Sequence, residues 1–161
     1  MIEYIKGDLL KTDAKIIVHG CNARGVMGSG VALAIKNKWP WAYETYREAY
    51  ETRQDPRWDG DMLLPLGDIY PAANVFDGKV VVNAITQRNY GRDGKKYASY
   101  DAIDECMRKI ATKFSTPKGP ATNPVIAMPK IGCGLGGGVW EIVQPIIYFH
   151  LQDFHVKVYE L

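Results

Sequence analysis

The stretch Met128-Pro-Lys-Ile-Gly-Cys-Gly-Leu-Gly-Gly-Gly-Val-Trp140 decides the fold. Just before it, Val125-Ile-Ala-Met128 is a short apolar run between Pro124 and Pro129, the pattern of a buried strand. Just after it, Val139 to Leu151 places Val139, Ile142, Val143, Ile146, Ile147 and Phe149 at helical spacing. Between strand and helix, five of the seven residues from 132 to 138 are glycine. Glycine at that density lets the backbone take positive φ and lets a ligand lie against bare N–H groups. The helix start that follows contributes partial positive charge, so the loop suits a phosphate. The competing reading is a tight loop whose glycines only relieve sterics.

A second unit of the same kind lies upstream. Ala14-Lys-Ile-Ile-Val-His19 is nearly continuous in apolar character and reads as a central strand. Gly20-Cys-Asn-Ala-Arg-Gly-Val-Met-Gly-Ser-Gly30 follows it and leads into a helix from Val31 to Lys38, stopped near Pro40. Its Gly25-x-x-Gly28-x-Gly30 order is not the dinucleotide fingerprint G-x-G-x-x-G. Glu44 and Glu48 fall in a helix-like stretch rather than at a second strand, and no Gly-Lys-Ser/Thr follows either loop. The classical Rossmann reading is therefore weak, and Walker A is absent.

The remaining segments fit around these two units. Ile2 to Lys6 alternates as a strand, broken by Gly7-Asp8. Trp39 to Glu51 is a helix, and Thr52 to Asp61 a polar loop. Leu66 to Tyr70 and Lys79 to Thr86 read as strands of a hairpin turning at Asn74 to Gly78. Gln87 to Ala98 is a loop rich in Arg, Lys and Tyr; Ser99 to Phe114 is an amphipathic helix; His155 to Leu161 is a closing strand. Strands and helices intermix, and the apolar strands need cover on both faces. This predicts an α/β fold, a three-layer α/β/α sandwich around a central mixed sheet, formed by residues 1–161 as one domain. Two glycine loops at strand C-termini match the rule for ligand binding in open α/β sheets, and together they could clamp a diphosphate.

Composition narrows the class. Of the 161 residues, 47% are hydrophobic and 24% charged, ordinary for a soluble globular domain. A net charge of +2, with no basic run, argues against an unmodified nucleic acid as partner. No apolar stretch approaches membrane-spanning length, and the first residues run straight into a strand without a signal-peptide pattern. Cys21, Cys106 and Cys133 are odd in number and lack metal-site spacing. A cytoplasmic protein without metal or cofactor, and without a membrane partner, is expected.

The ordered set Gly7-Asp8-Leu9, His19-Gly-Cys-Asn22, Gly25-x-Met-Gly-Ser-Gly-Val-Ala32 and Pro129-x-Ile-Gly-Cys-Gly-Leu-Gly-Gly137 with Trp140 resembles the macrodomains. These are ADP-ribose-binding modules, and the resemblance spans the whole chain. It is nearest the branch holding the yeast ADP-ribose 1''-phosphate phosphatase, the human terminal ADP-ribose glycohydrolase and the antitoxins that remove ADP-ribose from DNA. The resemblance implies that Asp8 accepts the adenine amine and that the Leu9 backbone meets the ring edge. From local sequence alone, Asp8 reads first as a cap. The resemblance further implies that Gly28, Ser29, Gly30 and Val31 line one side of the diphosphate. Gly132, Cys133, Gly134, Leu135 and Gly136 would donate N–H groups from the other, with Thr86 also ligand-binding and Asn22 beside the distal ribose.

Two positions depart from the glycohydrolases: their catalytic lysine is matched by Gln87, and the human enzyme's aspartate by Gly136. Lysine-based removal of ADP-ribose from protein or DNA is therefore discounted. The phosphatase carries a histidine where this chain has His19, so the resemblance implies His19 and Asn22 as catalytic residues. A histidine buried on an apolar strand and satisfied by backbone is the alternative. The expected function is hydrolysis of ADP-ribose 1''-phosphate to ADP-ribose and phosphate. The alternatives are hydrolysis of another derivative, such as O-acetyl-ADP-ribose or an ADP-ribosyl ester, and non-catalytic binding. The expected partner is a small molecule, ADP-ribose or a derivative; nucleic acid enters only as an ADP-ribosylated substrate.

Overall fold

A computed structural model describes all residues, Met1–Leu161. Six strands form one mixed sheet in the order β1-β6-β5-β2-β4-β3. They are β1 (Ile2–Lys6), β2 (Ile16–Asn22), β3 (Ile69–Ala73), β4 (Val80–Gln87), β5 (Ile126–Met128) and β6 (Val156–Glu160). Every neighbouring pair is parallel except β3 with β4, the antiparallel hairpin. The helices are α1 (Gly30–Lys38), α2 (Pro40–Arg53), α3 (Tyr100–Phe114) and α4 (Trp140–Leu151).

The strand alternation sorts the core into two layers. On β2 and β4, Ile16, Val18, Val82 and Ala84 face α3 and α4, where Ile103, Met107, Ile110, Val143 and Ile147 cover them. Ile17 and Val81 face the other way, toward Ile35, Trp39 and Ala42 of the α1–α2 layer. Both faces of the sheet are thus covered, as the apolar runs required. The fold expected from the sequence is the fold found.

Two boundaries differ from the expectation, and one short element is new. β2 continues to Asn22, with a register shift between Cys21 and Asn22 against β4. The strand expected from Leu66 begins only at Ile69, because Gly67 turns at φ +88° against Glu105. Leu9–Lys11 forms a short 3-10 turn that no periodicity marked. No helix is long and apolar enough to cross a membrane.

Candidate functional site

All parallel strands point their C-terminal ends at one edge, and there the chain forms a cavity of about 910 Å³. It runs across the sheet edge from Tyr159 and Glu160 on β6, past the loops after β5 and β2. It ends at Thr86 and Gln87 of β4, and Tyr90, Gly91 and Arg92 of the loop that follows β4 also line it. That volume suits a nucleotide-sized ligand.

The two glycine loops form its facing walls. On one, Ser29 precedes α1 without a side-chain cap bond, and the N–H groups of Gly30, Val31 and Ala32 meet no protein acceptor. Uncapped first-turn N–H groups with the helix dipole behind them make an anion site. On the other wall, the N–H groups of Gly134, Leu135 and Gly136 are also unclaimed. A Cβ on Gly30 would come within 3.6 Å of Leu135 Cδ1, so the loops approach each other over the cavity. The second loop keeps its shape through internal bonds: Gly138 N–H donates to Gly132 O (2.7 Å), and Tyr97 N–H donates to Gly136 O (2.7 Å). Gly132 and Gly137 hold φ +75° and +72°, which other residues rarely adopt. Cys133 differs from its expected role, since its N–H donates to Lys130 O and its thiol contacts Ile131 O. It walls the cavity rather than donating to a ligand.

Asn22 lines the cavity, yet its amide is occupied. Oδ1 accepts from Arg24 N–H (2.9 Å), Nδ2 donates to Val26 O (2.7 Å), and the Tyr46 hydroxyl lies 2.9 Å from Oδ1. The side chain shapes the first loop, and these bonds leave no free amide group for the catalytic role expected of it.

His19 requires the larger correction. It is fully buried and does not line the cavity. Its ring projects from β2 under α2, where Nε2 sits 2.6 Å from Asn83 Oδ1. Asn83 Nδ2 donates to the carbonyls of Ala42 and Tyr70, which leaves Oδ1 as the acceptor and puts the His19 proton on Nε2. The cavity begins one residue further along β2, lined by Gly20, Cys21 and Asn22, and His19 stops short of it with its ring held under α2. Burial pushes the His19 pKa down to about 4, against which the Asn83 bond acts weakly. A folded pKa below the unfolded value of about 6.5 means that the unfolded chain binds the proton first. The contribution to stability is complete above pH 6.5 and is lost as pH falls toward 4. It amounts to about 3 kcal/mol at most. Acid melts of wild type should therefore fall more steeply across that window than those of His19→Gln; parallel curves would refute the linkage.

Asp8 and Leu9 lie off the cavity wall. Asp8 Oδ1 accepts from Leu10 N–H at 2.9 Å, the capping role that local sequence favoured, and Leu9 is core. Asp8 still stands close to the β6 end, because Gly7 N–H donates to the carbonyl of Glu160, a lining residue. Lys95 and Lys96 turn away: Lys95 lies near Asp93, and Lys96 sits over the Tyr100 ring. Gln87 occupies the space beside Gly136, where a Cβ would fall 3.0 Å from Gln87 Oε1 and 2.8 Å from Gly132 O. An aspartate has no room at that position.

Sequence reasoning missed Tyr90, Arg92, Lys130, Tyr159 and Glu160. The last two could have been found, since β6 also ends at the edge where open α/β sheets bind ligands. Thr86 stands out differently: its Oγ1 is the one buried side-chain N or O atom without a hydrogen-bond partner. No cluster of three or more His, Cys, Asp or Glu residues could hold a metal ion.

A doubly covered mixed sheet whose strand ends carry two facing N–H cradles defines an α/β module built for an anionic nucleotide. The family model described as Macro domain matches residues 18–147, and the chain belongs to that family. Among its relatives, an ADP-ribose 1''-phosphate phosphatase of Debaryomyces hansenii is 31% identical, over 99% of this chain and 98% of the relative. A DNA ADP-ribosyl glycohydrolase of Mycobacterium tuberculosis is 27% identical over 99% of this chain, which spans 42% of that protein. The solved macrodomain of Thermus aquaticus DarG superposes with a TM-score of 0.78 at 25% identity, covering 100% of this chain and 99% of the other.

Proposed function

We propose that residues 1–161 act as one macrodomain that binds ADP-ribose along the cavity and hydrolyses ADP-ribose 1''-phosphate to ADP-ribose and phosphate. The observation that carries this reading is the pair of facing rows of unclaimed N–H groups, Gly30 to Ala32 and Gly134 to Gly136. They supply neutral donors for a diphosphate placed between them. The adenine goes to the β6 end, where Asp8 offers its second carboxylate oxygen, and the distal ribose goes to the β4 end near Asn22, Thr86 and Gln87. The names of the Debaryomyces and Mycobacterium relatives both carry ADP-ribose, which supports the ligand. The three free thiols fit a cytoplasmic setting.

The absence of His19 from the wall does not remove hydrolysis. Phosphoryl transfer is catalysed largely by positioning and electrostatic stabilisation, with little covalent work for the protein. Gln87 can orient a group but cannot titrate or form a Schiff base, which favours the phosphate ester over protein- or DNA-linked ADP-ribose. Binding without turnover is the second reading, and the lack of an imidazole on the cavity wall favours it.

Phosphate release from ADP-ribose 1''-phosphate, run beside calorimetry with ADP-ribose, separates them. Slow release with saturable binding is expected. Binding without release would select the binding module, and failure of both in folded protein would end the ADP-ribose reading. ADP-ribosylated DNA offered in the same assay should release little.

A further inference from the structure

We propose that Arg24, which does not itself line the cavity, is a positioning residue: it fixes the wall formed by the loop after β4, and so makes the site hold ADP-ribose more tightly than ADP. This rests on the ADP-ribose assignment above. Three segments distant in sequence meet at this residue. Ala23 O accepts from Leu64 N–H (2.9 Å), and Ala23 N–H donates to Arg88 O (3.3 Å). The Arg24 side chain repeats the junction one residue on. Its Nε donates to Asn89 Oδ1 at 2.5 Å, and its Nη1 donates to Asp61 Oδ2 at 3.1 Å.

The Asn89 contact leads into the cavity. From Arg88 to Lys96 the loop makes two hydrogen bonds to other segments, and both come from Ala23 and Arg24. Within the loop, Asn89 O accepts from Gln87 Nε2 at 2.7 Å, and Gln87 lines the cavity. With its nitrogen committed to Asn89, the Gln87 amide has one orientation. Its Oε1 then lies 3.0 Å from where a Cβ on Gly136 would stand, against the second glycine loop. Tyr90 and Gly91 follow Asn89 directly and also line the cavity.

The arrangement contributes more to binding than to stability. The Arg24 and Asp61 side chains are 36% and 46% exposed, so their ion pair adds little to folding. The bond to Asn89 is charge-assisted and holds a loop with few other ties. A loop released from it samples other conformations, and a ligand that needs the wall must select the competent one, which lowers its apparent affinity. ADP ends at its second phosphate and places nothing against Gln87 to Gly91. ADP-ribose carries a further sugar there. Substitution of the side chain also spares the first loop, because Asn22 Oδ1 accepts from the backbone N–H of Arg24.

Titration calorimetry with ADP-ribose and ADP, beside thermal melts, tests the proposal on wild type, Arg24→Met, Asn89→Ala, the double variant and Asn89→Asp. Wild type should bind ADP-ribose at least about tenfold more tightly than ADP. Arg24→Met and Asn89→Ala should each weaken ADP-ribose by about three- to tenfold and ADP by less than about twofold, while melting within about 2 °C of wild type. The double variant should bind no worse than either single one, because the two groups share one bond. Asn89→Asp keeps the acceptor and should keep the wild-type ratio. Both ligands weakened alike, additive losses in the double variant, or single variants that bind ADP-ribose normally would each overturn the positioning role and leave the ADP-ribose site standing. A wild-type ratio near one would do the same. Folded wild type that binds neither ligand would overturn the ADP-ribose reading itself.

Discussion

Gly134→Glu is expected to melt within about 2 °C of wild type and to lose ADP-ribose affinity by at least about a hundredfold. Nothing lies within 4 Å of a Cβ added at Gly134, and its φ is not in the left-handed region, so the fold tolerates the substitution. The new side chain would instead enter the cavity that Gly134 lines, beside the unclaimed N–H groups of Gly134, Leu135 and Gly136. Two like charges about 4 Å apart near a protein surface repel by about 4 kcal/mol, before any steric exclusion. Gly28→Glu should behave alike, since its Cβ would meet only Val26 Cγ1 at 3.4 Å. Gly138→Ala is the contrasting control, because its Cβ would fall 2.7 Å from Gly132 O and must distort the loop. Calorimetry and melting on the three variants separate a ligand wall from a scaffold. Normal binding by folded Gly134→Glu would remove the second loop from the diphosphate site.

His19→Ala has the second largest expected effect, and it falls on stability. Removing the ring opens a void under α2 and leaves Asn83 Oδ1 with only the weak Cys21 thiol donor at 3.9 Å in a fully buried site. A cavity plus an under-satisfied buried acceptor costs about 3 kcal/mol. For a chain of this length that lowers the melting temperature by about 6–12 °C. Below the new midpoint, the cavity at the strand ends keeps its lining, and ADP-ribose affinity should change by less than about threefold. A stable His19→Ala protein with turnover reduced a hundredfold or more would restore the histidine to the chemistry.

The contrast between these two residues shows what was legible in the sequence. The glycine loops were legible because their composition has a physical consequence that local sequence carries: bare backbone between a strand and a helix. The layers were legible because Ile16 to Val18 and Val80 to Val82 are apolar at consecutive positions, which demands cover on both sheet faces. His19 was misread because adjacency to a glycine loop in sequence is not adjacency to its cavity; the lining starts at Gly20, and the His19 ring is held by Asn83 under α2. The part Asn22 plays in the loop was hidden for a related reason. It lies on the lining, but its hydrogen bonds go to the turn at Arg24 to Val26, which local sequence does not show. Tyr90 and Arg92 lie in a polar loop without periodicity, and nothing local distinguishes them from Lys95 and Lys96, which turn away. The Thr86 hydroxyl became conspicuous only once every other buried polar side chain had been paired.

The most direct test of the diphosphate clamp is an amide NMR titration of the folded wild type with ADP-ribose. The account predicts saturable shifts concentrated at the N–H groups of Gly30, Val31, Ala32, Gly134, Leu135 and Gly136, with Cys133 and Gly138 moving less because their N–H groups are already bonded within the loop. Saturable shifts elsewhere on the molecule with both rows unmoved, or no shifts at millimolar ligand, would contradict it.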